Sequence, residues 1–244
     1  MRLPYLAMTV ALALGAPACR RFTTTTAPRA EREAAAAGSA DGGGLHAVPR
    51  DQLCVTSGIV ASGSAPWRVR SSTMRAVLAA KAARDAAELR FRYLGPSLET
   101  APFASGEVRR QVGVKLRALD TCNVLYAMWY LDAGGEVHAS LKHNAGMSRH
   151  EQCGDRGYVG LRPTFSKPLP EVRIGERHSM SAEIVGTDLV VFVDGARVWQ
   201  ATLPPETFTF DGPAGVRSDN ADLDIELATP NAAAGAEAAR SVCP

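Results

Sequence analysis

The sequence predicts an all-β chain folded as an antiparallel two-sheet sandwich. Three observations carry that reading. Over residues 178–227, HSMSAEIVGTDLVVFVDGARVWQATL and then DGPAGVRSDNADLDIEL after a Pro-rich corner, apolar and polar residues alternate, which buries one face of each strand and wets the other. The runs break at Gly186-Thr187, Asp194-Gly195 and Asp211-Gly212-Pro213; Asp-Gly between two such runs signals a hairpin, because both central residues of a type I′ turn take positive φ. Further strands recur at regular spacing, with turn signals between them and no reliable long helix. Residues 178–227 are expected to form a β-meander of about four strands.

The chain has 244 residues, 46% of them hydrophobic and 21% charged, with a net charge of +2. That near-neutral balance carries no nucleic-acid footprint. Residues 1–18 have the parts of a secretory signal: Arg2, an apolar stretch over residues 6–14, and the small residues Ala16-Pro17-Ala18. No later apolar run is long enough to span a bilayer. Cys19 follows at once. The arrangement resembles the lipobox of bacterial lipoproteins, although Ala16 stands where Leu is usual and Pro17 is atypical. The resemblance implies a lipid anchor on Cys19 and a place in the bacterial cell envelope. Ordinary cleavage at the same bond, giving a secreted chain, is the alternative.

Cysteine arithmetic favours the anchor. Cys19, Cys54, Cys122, Cys153 and Cys243 make an odd count, and lipidation of Cys19 leaves four for two disulfides. Three connectivities exist, of which Cys122–Cys153 with Cys54–Cys243 is favoured, the second pair tying the start of the domain to its far end. Residues 19–51 carry the anchor and a linker of Thr, Ala and Gly too poor in large aliphatic residues to order itself. The folded domain is placed at residues 52–228, and a low-complexity tail at 229–244.

Within the domain, residues 53–60 read as a first strand. Residues 74–88 (MRAVLAAKAARDAAE) have helix-forming composition but are read as strand–turn–strand, because the next run, ELRFRY, alternates plainly. Residues 106–119 put Val112, Val114 and Leu116 on one face and Gln111, Lys115 and Arg117 on the other. Residues 122–131 are apolar on both faces, as in a central covered strand, and 136–143 alternate again. Residues 144–169 are irregular and polar, and a segment of that kind inside a compact domain is often functional.

Taken together, LVVFVDGARVWQATLP, the His-x-Met-x-Ala-Glu strand before it and GPAGVRSDN with its alternating last strand resemble the concanavalin A-like lectin/glucanase superfamily. The laminin G-like and 3-keto-disaccharide hydrolase-like branches (the latter known as domain of unknown function 1080) are the nearest in pattern. The resemblance implies a jelly roll that binds carbohydrate or protein and in some members processes glycosides.

The expected ligand is therefore carbohydrate or cell-envelope material. Trp129, Tyr130, His138, Lys142, Arg217, Asp219 and Asn220 are the candidates for it, with aromatic faces to stack on a sugar and polar groups to fix hydroxyls. Tyr126, Trp129 and Trp199 also suit core positions. Asp222, Asp224 and Glu226 look like the glucanase Glu-x-Asp-x-Glu, with carboxylates on one strand face, and are the weak catalytic set of an alternative glycoside-processing enzyme. Against that, the first acid is Asp and the motif sits on the last strand. A third alternative is a structural or protein-binding envelope lipoprotein. Related modules hold calcium at the rim, and Asp211, Asp219 and Asn220 are the candidates here, although ordinary turn chemistry accounts for them too. His138, His143, His150 and Cys153 make a poor zinc set, since His138 and His143 face opposite sides of a strand. Arg90, Arg92, Lys115 and Arg117 read as one solvated basic sheet face, or more sharply as a contact for anionic glycans or headgroups.

Overall fold

The computed structural model describes residues 44–61, 63–79, 83–132 and 135–230. The signal segment, Cys19, most of the linker, the tail and Cys243 lie outside the described residues.

The strands run, in chain order, β1 (His46–Ala47), β2 (Leu53–Ser57), β3 (Trp67–Val69), β4 (Thr73–Leu78), β5 (Ala86–Pro96), β6 (Gln111–Leu116), β7 (Val124–Tyr130) and β8 (Val137–Lys142). After a one-turn helix, α1 (His150–Cys153), come β9 (Tyr158–Gly160), β10 (Phe165–Ser166), β11 (Arg177–Val185), β12 (Asp188–Val193), β13 (Ala196–Thr202), β14 (Gly215–Asp219) and β15 (Ala221–Thr229). They form two antiparallel sheets. An eight-stranded sheet has the order β1-β15-β5-β11-β12-β13-β10, with β3 also pairing β15; a seven-stranded sheet has the order β2-β4-β14-β6-β7-β8-β9.

Alternation decides what lies between the sheets. Met74, Val112, Val114, Leu125 and Trp129 of the seven-stranded sheet face Leu89, Phe91, Met180, Val191 and Ile225 of the other, all essentially buried. Each such side chain contributes roughly 1.5–3 kcal/mol on burial. Phe91 meets Trp129 edge-on at 5.5 Å, which locks the two layers together near their middle.

The Asp194-Gly195 signal is a hairpin between β12 and β13, with φ of 49° and 77°. The helix-like stretch at 74–88 contributes β4 and the start of β5, so burial of alternate residues overrides helix propensity there. The expected four-strand meander, however, ends after β13. The chain then crosses to the other sheet, where β14 inserts between β4 and β6, and crosses back for β15. The basic row is likewise divided. Arg90 lies on the eight-stranded sheet and bonds Glu88 and Glu226, and Arg92 is on the same strand. Lys115 lies on the seven-stranded sheet, and Arg117 follows β6 with its guanidinium on Asp85 and the Phe210 carbonyl.

Between β14 and β15 stands a single residue, Asn220, at φ 54°, a left-handed conformation that Asn tolerates better than other residues with a β-carbon. Its N–H donates to the Ser72 carbonyl at 2.7 Å, and its own carbonyl accepts from Ser97 at 3.1 Å. The side-chain Oδ1 accepts from the Ala101 N–H at 2.7 Å, while Nδ2 donates to the Ala101 and Arg109 carbonyls at 3.0 Å each. One residue thus joins the sheets and fixes the loop after β5. Asn220→Ala is expected to cost about 3–4 kcal/mol in urea unfolding, from the lost hydrogen bonds and the left-handed backbone. Asn220→Gly should recover about 1 kcal/mol of that; equal midpoints for the two variants would show that the backbone conformation contributes nothing.

Candidate functional site

The outer face of the seven-stranded sheet is covered rather than open. On β14, Val216 points to the core, so Arg217 and Asp219 point outward. Their neighbours in register on β6 are Gly113 and Gln111, and Lys115 lies opposite Gly215. On β4, Arg75 lies opposite Arg217. On β7, Tyr126 lies opposite Lys115, and on β8, Lys142 pairs with Tyr158 of β9. Above this floor stand residues 101–104 of the loop held by Asn220, and His150 and Asp155 from the segment around α1. Together they enclose a cleft of about 460 Å³.

Charge in this cleft is concentrated and buried. The Asp219 carboxylate accepts from Arg75 at 2.6 Å on Oδ1, and from Gln111 at 2.6 Å and Arg217 at 2.8 Å on Oδ2. Burial works to raise its pKa, but Arg217, Arg75 and Gln111 together hold it below the usual carboxylate range. The Arg217 guanidinium lies between two rings, 4.9 Å from the centre of Tyr126 and 5.7 Å from that of Phe103. Lys142 donates to the Gly154 carbonyl at 2.6 Å and sits 5.0 Å from the Tyr158 ring. Lys115 differs from the others. It is 6% exposed, and among the described residues its ammonium makes no hydrogen bond and no ion pair. Burial, with Arg75 and Arg217 nearby, brings its pKa down to about 7.

The aromatic groups complete the site. Tyr126 and Tyr158 stack 6.2 Å apart with 25° between their planes, and Tyr158 is 41% exposed at the rim. Burial and the adjacent Tyr158 push the Tyr126 hydroxyl up to about 12, so it is neutral and able to donate at ordinary pH. The floor needs a glycine: a β-carbon on Gly113 would lie 2.1 Å from the Ala127 carbonyl oxygen. The α1 wall is fastened by the Cys122–Cys153 disulfide, Cα atoms 5.9 Å apart, which joins it to the chain entering β7. The Gln152 side chain accepts from the Ser148 and Arg149 N–H groups at 3.0 Å and sets the start of that helix. Cys54 is also disulfide-bonded; its expected partner, Cys243, lies outside the described residues.

Of the residues expected to bind a ligand, Lys142, Arg217 and Asp219 line this cleft, joined by Lys115 from the expected basic face and His150 from the poor zinc set. Tyr130 and His138 share the sheet face but lie outside it, stacked on each other at 4.0 Å, with Arg109 over Tyr130. Trp129 points the other way, fully buried in the core, because its parity on β7 is opposite to that of Tyr126. Asn220 is spent on the corner. Tyr126, which also suited the core, is a cleft residue, and Arg75, Phe103 and Tyr158 carried no signal, being separated by strand crossings.

The remaining candidates lie elsewhere. Asp222, Asp224 and Glu226 are on the outer face of the eight-stranded sheet. Asp222 takes a bidentate contact from Arg68 at 2.7 Å, Asp224 lies 3.6 Å from the same guanidinium, and Glu226 bonds Arg90 at 3.1 Å. For calcium, Asp211 is bonded by Arg84 at 2.7 Å, well apart from the guanidinium-bound Asp219. Among the described residues no three His, Cys, Asp or Glu side chains come together as a metal site. A second cleft, of about 480 Å³, lies beside Arg90, Arg92, Arg177, Asp224 and Glu226, but its charges are mixed and none of these five is buried.

No family model matches the chain, and no curated protein matches it in sequence. Solved structures do match. The carbohydrate-binding module CBM66 from Bacillus subtilis superposes with a TM-score of 0.50 at 13% identity, covering 71% of this chain and 91% of that one. The fold is an antiparallel two-sheet jelly roll. Unliganded Crh5 transglycosylase gives a TM-score of 0.45 at 12% identity, over 75% of this chain and 80% of that one. The metal-free carbohydrate recognition domain of Emp46p gives 0.45 at 12% identity, over 72% and 87%. At 13% identity the likeness to CBM66 establishes the fold alone.

Lys115 supplies a stability test. In the unfolded chain its pKa is the ordinary 10.5, against about 7 in the fold. The charged form is therefore disfavoured by folding, in full below pH 7, and the cost falls away as pH rises from 7 to 10.5. Lys115→Met is expected to be more stable than the parent at pH 6 by about 3–5 kcal/mol, or roughly 10 °C in Tm, with the gap narrowing toward pH 10. A variant no more stable than the parent at pH 6 would show that the ammonium is solvated in the fold.

Proposed function

We propose that this chain is a non-enzymatic carbohydrate-binding jelly roll that holds a saccharide in the cleft on its seven-stranded sheet. One observation carries the reading: the stacked Tyr126–Tyr158 pair stands beside fixed, buried polar groups, Arg217, Asp219 and Lys142. A sugar ring offers C–H groups on its faces and hydroxyls around its edge. It is bound by a π-face together with rigid donors and acceptors, which is what this cleft presents. The shared fold of a protein named as a carbohydrate-binding module supports the same reading.

Binding is favoured over glycoside hydrolysis by the placement of the acids. Retaining and inverting enzymes alike need two carboxyl groups flanking the scissile bond. In the cleft Asp219 has both oxygens taken by Arg75, Gln111 and Arg217, and Asp155 is exposed. The Asp222, Asp224 and Glu226 row lies on the opposite sheet. The full chain on a glycan array is expected to retain a defined class of saccharide and release no shortened products, with Tyr158→Ala weakening retention at least about tenfold. Folded protein that retains no saccharide would remove this reading.

We further propose that the chain is exported and anchored in the cell envelope through Cys19, on the strength of the signal-like residues 1–18 and the cysteine count. Growth with a labelled fatty acid is expected to label the parent and not Cys19→Ser, and to leave the variant out of the membrane fraction. Equal labelling of both would assign the lipid elsewhere.

A further inference from the structure

The carbohydrate reading leaves Lys115 without a task, and the rest of the cleft makes that conspicuous. Arg75, Lys115, Lys142 and Arg217 face Asp219 and the exposed Asp155, so cations outnumber acids four to two. Three of those cations are engaged: Arg75 and Arg217 on Asp219, and Lys142 on the Gly154 carbonyl. Among the described residues Lys115 is not, although only 6% of it is exposed. Its ammonium is not sealed off but reaches the cleft, and a charge so largely desolvated without a counter-ion is costly. Replacement by an apolar residue would relieve the cost, so its presence points to a partner that arrives from outside.

Resting on the carbohydrate reading, we infer that the ligand is an acidic saccharide, whose carboxylate or sulfate group docks against Lys115 beside Arg217 while its ring lies along Tyr158, the exposed member of the tyrosine pair. The arrangement suits that class. Arg75 is spent on Asp219 and on the Met74 and Ser218 carbonyls, but Arg217 bonds Asp219 through Nε, and its Nη groups can meet a second anion alongside Lys115. A neutral sugar could stack on Tyr158 but would leave the ammonium unpaired.

Such docking is coupled to protons. The free Lys115 ammonium loses its proton near pH 7, and a bound anion holds it on. Around it, Arg75 and Arg217 disfavour its charge. Lys142, Asp219, Tyr126 and Tyr158 line the same floor, and His150 and Asp155 the wall. Of these, His150 carries an imidazole and takes its own control. Affinity for the acidic saccharide is therefore highest below pH 7 and falls as pH rises above it.

Isothermal calorimetry on the full chain tests this with four probes: an oligogalacturonate, a sulfated oligosaccharide, a neutral glucan of the same length, and inorganic sulfate. One of the two acidic oligomers is expected to bind at least about tenfold more tightly than the neutral one, taking up close to one proton at pH 8 and losing roughly a hundredfold in affinity between pH 6 and 9. Lys115→Met, which should fold at least as well as the parent, is expected to lose that preference and the pH dependence. His150→Gln should keep the fall between pH 7 and 9. Equal binding of the neutral glucan would overturn the acidic assignment while leaving the carbohydrate reading in place. Sulfate binding as tightly as either acidic oligomer would overturn the saccharide part, and no binding by any oligosaccharide would overturn both readings.

Discussion

The structure turns on the corner at Asn220. Two strands that follow each other directly in sequence lie in different sheets, so the chain must reverse and change layer within one residue. Few side chains permit the left-handed backbone this requires, and fewer also bond what lies around it. Asn220 does both. Its amide holds Ala101 and Arg109, and so it holds the loop that carries Phe103 over Arg217. The same residue that closes the sandwich therefore sets the height of the cleft roof. A residue expected to touch ligand or calcium instead positions the groups that face the cleft.

Under the proposed function, stability and binding pull in opposite directions within the cleft. Asp219 is well satisfied, with Arg75, Gln111 and Arg217 around it, and contributes order to the floor. Lys115, one strand away, is a liability to the fold. The pairing is intelligible as preorganisation: the acid holds two guanidinium groups in place and the lysine leaves an attraction unspent. Binding modules need the second feature as much as the first, since a cleft whose charges are all paired has little left to offer a ligand. Rigid walls matter for the same reason, and here the Cys122–Cys153 bond, closing a separation of 31 residues, restrains one of them.

Much of the fold was legible because alternation reports burial directly. The 188–203 hairpin, the two faces of β6 and β8, and the strand pair hidden in the alanine-rich 74–88 stretch could each be read from period two. What alternation cannot report is which sheet a strand joins. Val216 and Leu223 alternate identically whether or not the chain crosses between them, so the meander was extended too far. The site suffered from the same blindness. Arg217, Asp219 and Lys142 were visible as polar residues on buried strands. Tyr126 and Trp129 differ by three positions in a run that is apolar on both faces, and only the register shows which ring reaches the cleft. Lys115 was grouped with Arg90 and Arg92 by type, while the topology sets them on opposite sides of the molecule.

The placement of β14 and β15 also sets a timetable. Both come late in the chain, yet β14 fills the gap between β4 and β6, and β15 stitches β5 to β1 and β3. Until residues 215–229 are available, each sheet lacks an interior strand and is left as separate fragments. Pairings of such long sequence separation are slow to form, and emergence from the N-terminus onward delays them further. A chain made this way stays open while it is being synthesised and closes in one late step. The cleft would thus come into being only once the last strands had arrived.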